Sequence, residues 1–192
     1  MICLDEMGPV AAKSYPGQAP VRPAAQHGAE RATQEADYGR RGKGSVFGAF
    51  HPATGEAFTA PYDGRTTANW VAFLAQVEAW VDAGVERVYA ILDNLSMHRA
   101  LDALLFAVAH PRWEFVFQPT YAAYLNPIEP WWKTLRSLAL KGKRFETWEE
   151  VCRAVAAATA YWNTHRRPFV WGRRRRHRVH RRAGLALVPL AA

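Results

Sequence analysis

The chain has 192 residues, 49% of them hydrophobic and 12% aromatic, with a formal net charge of +8 and a pI near 9.9. That is enough apolar material for one domain with a packed core and too much for a disordered chain. No apolar run reaches membrane-spanning length, and the opening MICLDEMG lacks the basic and long apolar regions of a secretion signal, so a cytosolic protein without a membrane partner is expected. Cys3 and Cys152 are too few for a disulfide framework and read as free thiols. The charge is local: residues 173–182 hold seven arginines and no acid, which leaves the rest of the chain at about +1. Residues 172–192, basic and then Ala/Leu-rich, are expected to be a disordered tail or a phosphate-binding one.

MICL is a short apolar run that reads as a buried strand with Asp5 and Glu6 at its C-terminal end. The Pro, Gly and Ala-rich segment 8–44 reads as a long loop. SVFGAF and EAFTAPY, separated by HPATG, have the pattern of a β-hairpin. From Thr66 the period becomes helical through Trp70, Val71, Phe73, Leu74 and Val77, with Gly84 as a stop. RVYAILDN is nearly all apolar, as for a strand covered on both faces, and it ends in Asp93 and Asn94. Leu101, Leu104, Leu105 and Val108 predict a second helix closed by Pro111, and EFVFQP a further strand. Asn126 and Pro127 suit the N-cap and first residue of a third helix running to about Lys141. Thr147 with Glu150 is a capping box for a last helix ending near Asn163. The order predicts an α/β fold, a mixed five-stranded sheet with helices on both faces.

In such sheets ligands bind beyond the carboxyl ends of the parallel strands, where Asp5 and Asp93 are expected, with Glu129 in the first turn of the helix that follows the last strand. Three convergent carboxylates would suit a hard divalent ion. The residues alone leave alternatives open. Glu129 stands three positions after Asn126 and also fits a capping box, and Asp93-Asn94 also fits turn chemistry. Asn94 and His98 read either as structural groups or as groups that tune metal ligands or touch phosphate. Arg40, Arg41 and Lys43 read as phosphate contacts or as exposed charge, and Trp131 and Trp132 as packing.

The stretches LDEMG, YGRRGKGSVFGAFHPATG, ILDNLSMH, QPTYAAYLNPIEPWWKTLR and YWNTHRRPFVW resemble the catalytic domain of DDE transposases in the bacterial insertion-sequence branch of the mariner superfamily. The likeness covers residues 1–171, and its most specific part is DNxxxH followed by Leu-Asn-Pro-Ile-Glu and Trp. It implies an RNase H-like fold and metal-dependent cutting and joining of DNA. The family's acids fall on Asp5, Asp93 and Glu129, which would hold Mg²⁺ or Mn²⁺, as a pair of ions. The family's helix-turn-helix module does not precede Met1 here, so a separate upstream reading-frame product is a candidate partner, beside DNA and a second copy in a homodimer; a truncated remnant that binds without catalysis is the alternative. Ala122-Ala123-Tyr124 also stands where the family often has Ser-Pro. An RNase H-type nuclease would need a further acid early in the helix after the hairpin, where only Glu78 is on offer, well down its length.

Overall fold

The computed structural model describes residues 1–15, 17, 37, 39, 41–120 and 122–169. Arg40, most of the segment between the first two strands, and the tail 172–192 lie outside the described residues. Strands β1 (Ile2–Ala11), β2 (Lys43–His51), β3 (Glu56–Tyr62), β4 (Val88–Leu92) and β5 (Trp113–Phe117) form one sheet in the order β3-β2-β1-β4-β5. β1 runs parallel to β4 and β4 to β5, whereas β1–β2 and β2–β3 are antiparallel. The mixed five-stranded sheet and the parallel neighbourhood of the first and fourth strands are as the element order predicts.

Helices α1 (Thr67–Trp80) and α2 (Leu101–Ala109) cover one face, and α3 (Ile128–Ala139) and α4 (Trp148–Thr164) the other. The alternation of β1 explains how one strand serves both: Cys3 and Met7 point into the α3/α4 core, Ile2 and Leu4 into the α1/α2 core. α1 starts where Thr66 accepts a hydrogen bond from the Asn69 N–H at 3.1 Å, and it buries Trp70, Phe73, Leu74 and Val77 at helical spacing. α4 starts in the same way at Thr147, while the Glu150 carboxylate reaches back to the Glu146 N–H at 2.7 Å. The hairpin turn closes on Gly55, whose φ of 75° is open to glycine at little cost. No helix among the described residues is long and apolar enough to cross a membrane.

Three expectations change. β1 does not stop at Asp5 and Glu6 but continues to Ala11, so the start of the 8–44 segment is strand; an irregularity between Met7 and Val10 accommodates Pro9, which lacks the N–H that a regular ladder would use. The leucine stripe of α2 faces outward: Ala103 and Phe106 are buried, whereas Leu101, Leu104, Leu105 and Val108 are exposed. β4 is covered unequally, with Val88, Ala90 and Leu92 buried and Tyr89 exposed.

Candidate active site

The β1–β4 ladder pairs Ile2 with Ala90 and Cys3 with Ile91. Continued by two residues, that register brings Asp93, immediately after β4, opposite Asp5. Beyond Cys3 the backbone of β1 has no ladder partner on this side, and the freed Leu4 carbonyl accepts a hydrogen bond from the Asn126 side-chain amide at 3.1 Å. The same amide's oxygen accepts from the Ile128 N–H at 3.3 Å, so Asn126 starts α3 and anchors it to β1 at once. Glu129 therefore lies in the first turn of a helix tied down one residue from Asp5. Its side chain makes no hydrogen bond or ion pair with a described residue, so the capping falls to Asn126 rather than to a reciprocal box.

Asp5 accepts from the Trp132 indole N–H at 2.7 Å. Glycine at its β2 register partner makes this contact feasible: a Cβ on Gly48 would stand 2.4 Å from the Trp132 ring. Gly48→Ala should push the indole away from Asp5 and destabilise the fold by about 1–3 kcal/mol, measurable by denaturant unfolding together with a red- or blue-shifted tryptophan emission. A variant with wild-type stability and emission would contradict this packing.

The electrostatics set the two aspartates apart. Burial pushes the Asp5 carboxyl up to about 7, against the Trp132 hydrogen bond, and the charges of Glu6 and Glu129 add to the rise. Burial also raises Asp93, but hydrogen bonds from His98 and the Leu95 N–H outweigh it and hold the group below its ordinary value. His98 is fully buried; burial alone would lower it, yet its contacts with Asp93 at 2.9 Å and Glu6 at 2.8 Å bring it up to about 9. Glu6, on the opposite face of β1 from Asp5, is buried and not a solvated strand end.

Among the described residues no group of three or more His, Cys, Asp or Glu side chains is gathered closely enough to hold a metal ion. Asp93 commits one oxygen to His98 and Leu95, and Asp5 one to Trp132. Their chemistry still fits a hard cation: the donors are carboxylate oxygens, and an Asp5 carboxyl disfavoured in its ionised form by burial and neighbouring acids is stabilised by positive charge.

The remaining candidates divide. The Asn94 amide donates to the Gln118 carbonyl and accepts from Arg99, joining the end of β4 to the end of β5. Arg41 is paired with Asp37 and Glu146 and donates to the Phe145 carbonyl at 3.1 Å. Lys43 is exposed opposite Ala11, at the far end of the β1–β2 ladder from Asp5. Glu78 is bonded to Arg112 and to the Trp113 indole, which removes it as a further catalytic acid.

Sequence reading missed a basic groove of about 620 Å³ between β1 and α3. Pro9–Ala11 of β1 form one wall and the exposed side of α3 the other, with Lys13, Lys133, Arg136 and Lys141 on its lining and no acid there. None of the four cations pairs with an acid among the described residues. On the α3 wall Lys133 follows Glu129 by one helical turn. The polar side of α3 was the available signal, since Lys133, Arg136 and Ser137 alternate with the buried Trp132, Leu135 and Ala139.

Residues 1–152 match the family of DDE superfamily endonucleases. The chain belongs to that family. Over 97 residues it is 23% identical to the "Insertion element IS630 uncharacterized 39 kDa protein" of Shigella sonnei, covering 50% of this chain and 28% of that protein. Among solved structures it resembles the Mos1 transposase paired-end complex with the left transposon end, with a TM-score of 0.59 at 17% identity over 83% of this chain and 47% of that one. It also resembles the Mos1 transposase catalytic domain with raltegravir and Mg, with a TM-score of 0.54 at 14% identity over 83% of this chain and 70% of that one. This DDE-family chain thus has the RNase H-like fold of a transposase catalytic domain, and it spans less than half of the insertion-element protein and of the paired-end-complex chain.

Proposed function

We propose that this chain is the catalytic domain of an insertion-sequence DNA transposase, using Asp5, Asp93 and Glu129 to hold Mg²⁺ or Mn²⁺, two ions in the full assembly, for phosphodiester cleavage and strand transfer. The observation that supports the reading is that, within a DDE-family chain, Asp5 lies on β1 and Asp93 just past its parallel neighbour β4, while Asn126 anchors to β1 the helix that carries Glu129. When bound, the divalent ions supply the charge that activates the attacking oxygen and stabilises the leaving one. The chain's own residues position and insulate: Trp132 orients Asp5, Leu95 and His98 orient Asp93, and the packed α3/α4 face keeps water from the back of the site. Mos1 is the protein solved with transposon-end DNA, and DNA is the proposed substrate here too.

The basic groove is the proposed path of the DNA backbone leaving the carboxylates, replacing Arg41, whose guanidinium is already engaged. Upstream helix-turn-helix sequence and a second copy remain the proposed partners for end recognition. Two experiments test the reading. Cleavage of DNA bearing the element's ends should require Mg²⁺ or Mn²⁺ and vanish with EDTA; metal-independent cleavage sinks the proposal. In a salt series, Lys133→Glu with Arg136→Glu should weaken DNA binding and reduce the slope of log K against log salt by about 1–2. Deleting residues 173–192 should remove the sequence-independent background from seven arginines. If the charge-reversed groove binds with the wild-type slope, the DNA does not follow α3.

A further inference from the structure

Glu6 and His98 have no place among the proposed ligands, yet they join the site through a contact buried on both sides. β1 contributes adjacent acids to opposite faces, Asp5 to the α3 side and Glu6 to the α1 side. His98 lies in the turn Ser96–Arg99, its ring 4.3 Å from that of the fully buried Trp70. Its Nε2 contacts Glu6 Oε1 at 2.8 Å, and its Nδ1 contacts Asp93 Oδ1 at 2.9 Å and the Asp93 backbone carbonyl at 3.2 Å. Carboxylate oxygens thus face both ring nitrogens. The Leu95 N–H donates to the same Asp93 oxygen at 3.1 Å. Among the described residues Asp93 Oδ2 carries no hydrogen bond, and Glu6 Oε2 is buried without a partner.

We propose that Glu6 and His98 are positioning residues that hold Asp93 by one oxygen and present the other, Oδ2, to the site opposite Asp5. This rests on the reading of Asp93 as a metal ligand. The β1–β4 ladder ends at the Cys3–Ile91 pair, so beyond it no backbone bond between these strands fixes Asp93 relative to Asp5. The Glu6–His98 link spans that gap: it begins at the residue after Asp5 and ends on Asp93 itself. A buried carboxylate with one oxygen unpartnered is a poor device for stability alone, because apolar residues of the same shape fill such a space at no desolvation cost. Second-layer groups of this kind orient ligands, and their loss weakens metal affinity with the fold retained.

The test uses the full chain with Mn²⁺ as the probe, bound and free ion being counted by electron paramagnetic resonance, and thermal melting in EDTA as the control for folding. Glu6→Gln keeps an acceptor oxygen at the same place without the charge, Glu6→Asp keeps the charge but withdraws it by one methylene, and Asp93→Asn is the reference for a lost ligand. All three should weaken Mn²⁺ binding, the two Glu6 variants by about 10–100-fold, and cleavage in the Glu6 variants should recover toward the wild-type maximum as metal is raised. Loss of affinity in Asp93→Asn with wild-type affinity in folded Glu6 variants overturns the positioning role and leaves the catalytic reading intact. Unchanged affinity in Asp93→Asn overturns both.

Discussion

Replacing Asp5 by Asn should abolish metal-dependent cleavage while making the metal-free protein more stable at neutral and alkaline pH. The Asp5 carboxyl is pushed up to about 7 from an ordinary 3.8, first by burial and then by the Glu6 and Glu129 charges. For an acid raised on folding, the native state retains the proton while the unfolded chain has already lost it. Stability is therefore intact below pH 4, falls as the pH rises from about 4 to 7, and stays reduced above that. The full difference is of order 2–4 kcal/mol. Asparagine has nothing to ionise and retains an oxygen for the Trp132 indole, so its advantage over wild type should be absent near pH 4 and largest above pH 7. Thermal melts in EDTA at pH 5 and pH 8 check this. An Asp5→Asn protein melting at or below the wild type at pH 8 would remove the electrostatic strain on which the prediction stands.

Glu129→Gln and Asp93→Asn should each lower the rate of Mg²⁺-dependent strand cleavage by at least about a thousandfold, roughly 4 kcal/mol of transition-state stabilisation. Glu129 is the sharper case. The Asn126 side chain already accepts from the Ile128 N–H at the start of α3, and the Glu129 carboxylate has no bonding partner among the described residues, so the amide should change stability by no more than about 0.5 kcal/mol. Loss of cleavage with an unchanged melting curve separates a ligand from a structural acid. Cleavage near the wild-type rate in Glu129→Gln would leave the site with two acids and the DDE assignment without its third.

How far the residues alone reached depended on whether the deciding interaction was local. α1 and α4 could be read because Thr66 and Thr147 cap their own helices, and the hairpin because Gly55 turns it. Asp5 and Asp93 could be considered together because both follow apolar runs, and those runs form the neighbouring strands β1 and β4. β1 was read short because Gly8-Pro9 looks like a breaker, and only the pairing with β2 reveals the irregularity that absorbs it. Periodicity identified α2 but not its buried side, since Ala103 and Phe106 rather than the leucines are buried. The Glu6–His98 contact leaves no local trace at all, being made between residues far apart in the chain that meet only when β1 and β4 are side by side. The same holds for the groove, whose Lys13 wall and α3 wall come from opposite ends of the domain.

The pairing of Ala11 with Lys43 also bears on how this domain can be altered. These register partners bracket residues 12–42, and the chain is fastened just inside them: the Ala12 N–H bonds the Gly42 carbonyl and the Tyr15 N–H bonds the Lys143 carbonyl. With both exits pinned to the sheet and to the end of α3, lengthening the connection costs only the entropy of closing a larger ring, about 0.6 kcal/mol for each doubling. Changes of length there that leave Tyr15, Asp37 and Arg41 in place are therefore expected to spare the strands that carry Asp5 and Asp93.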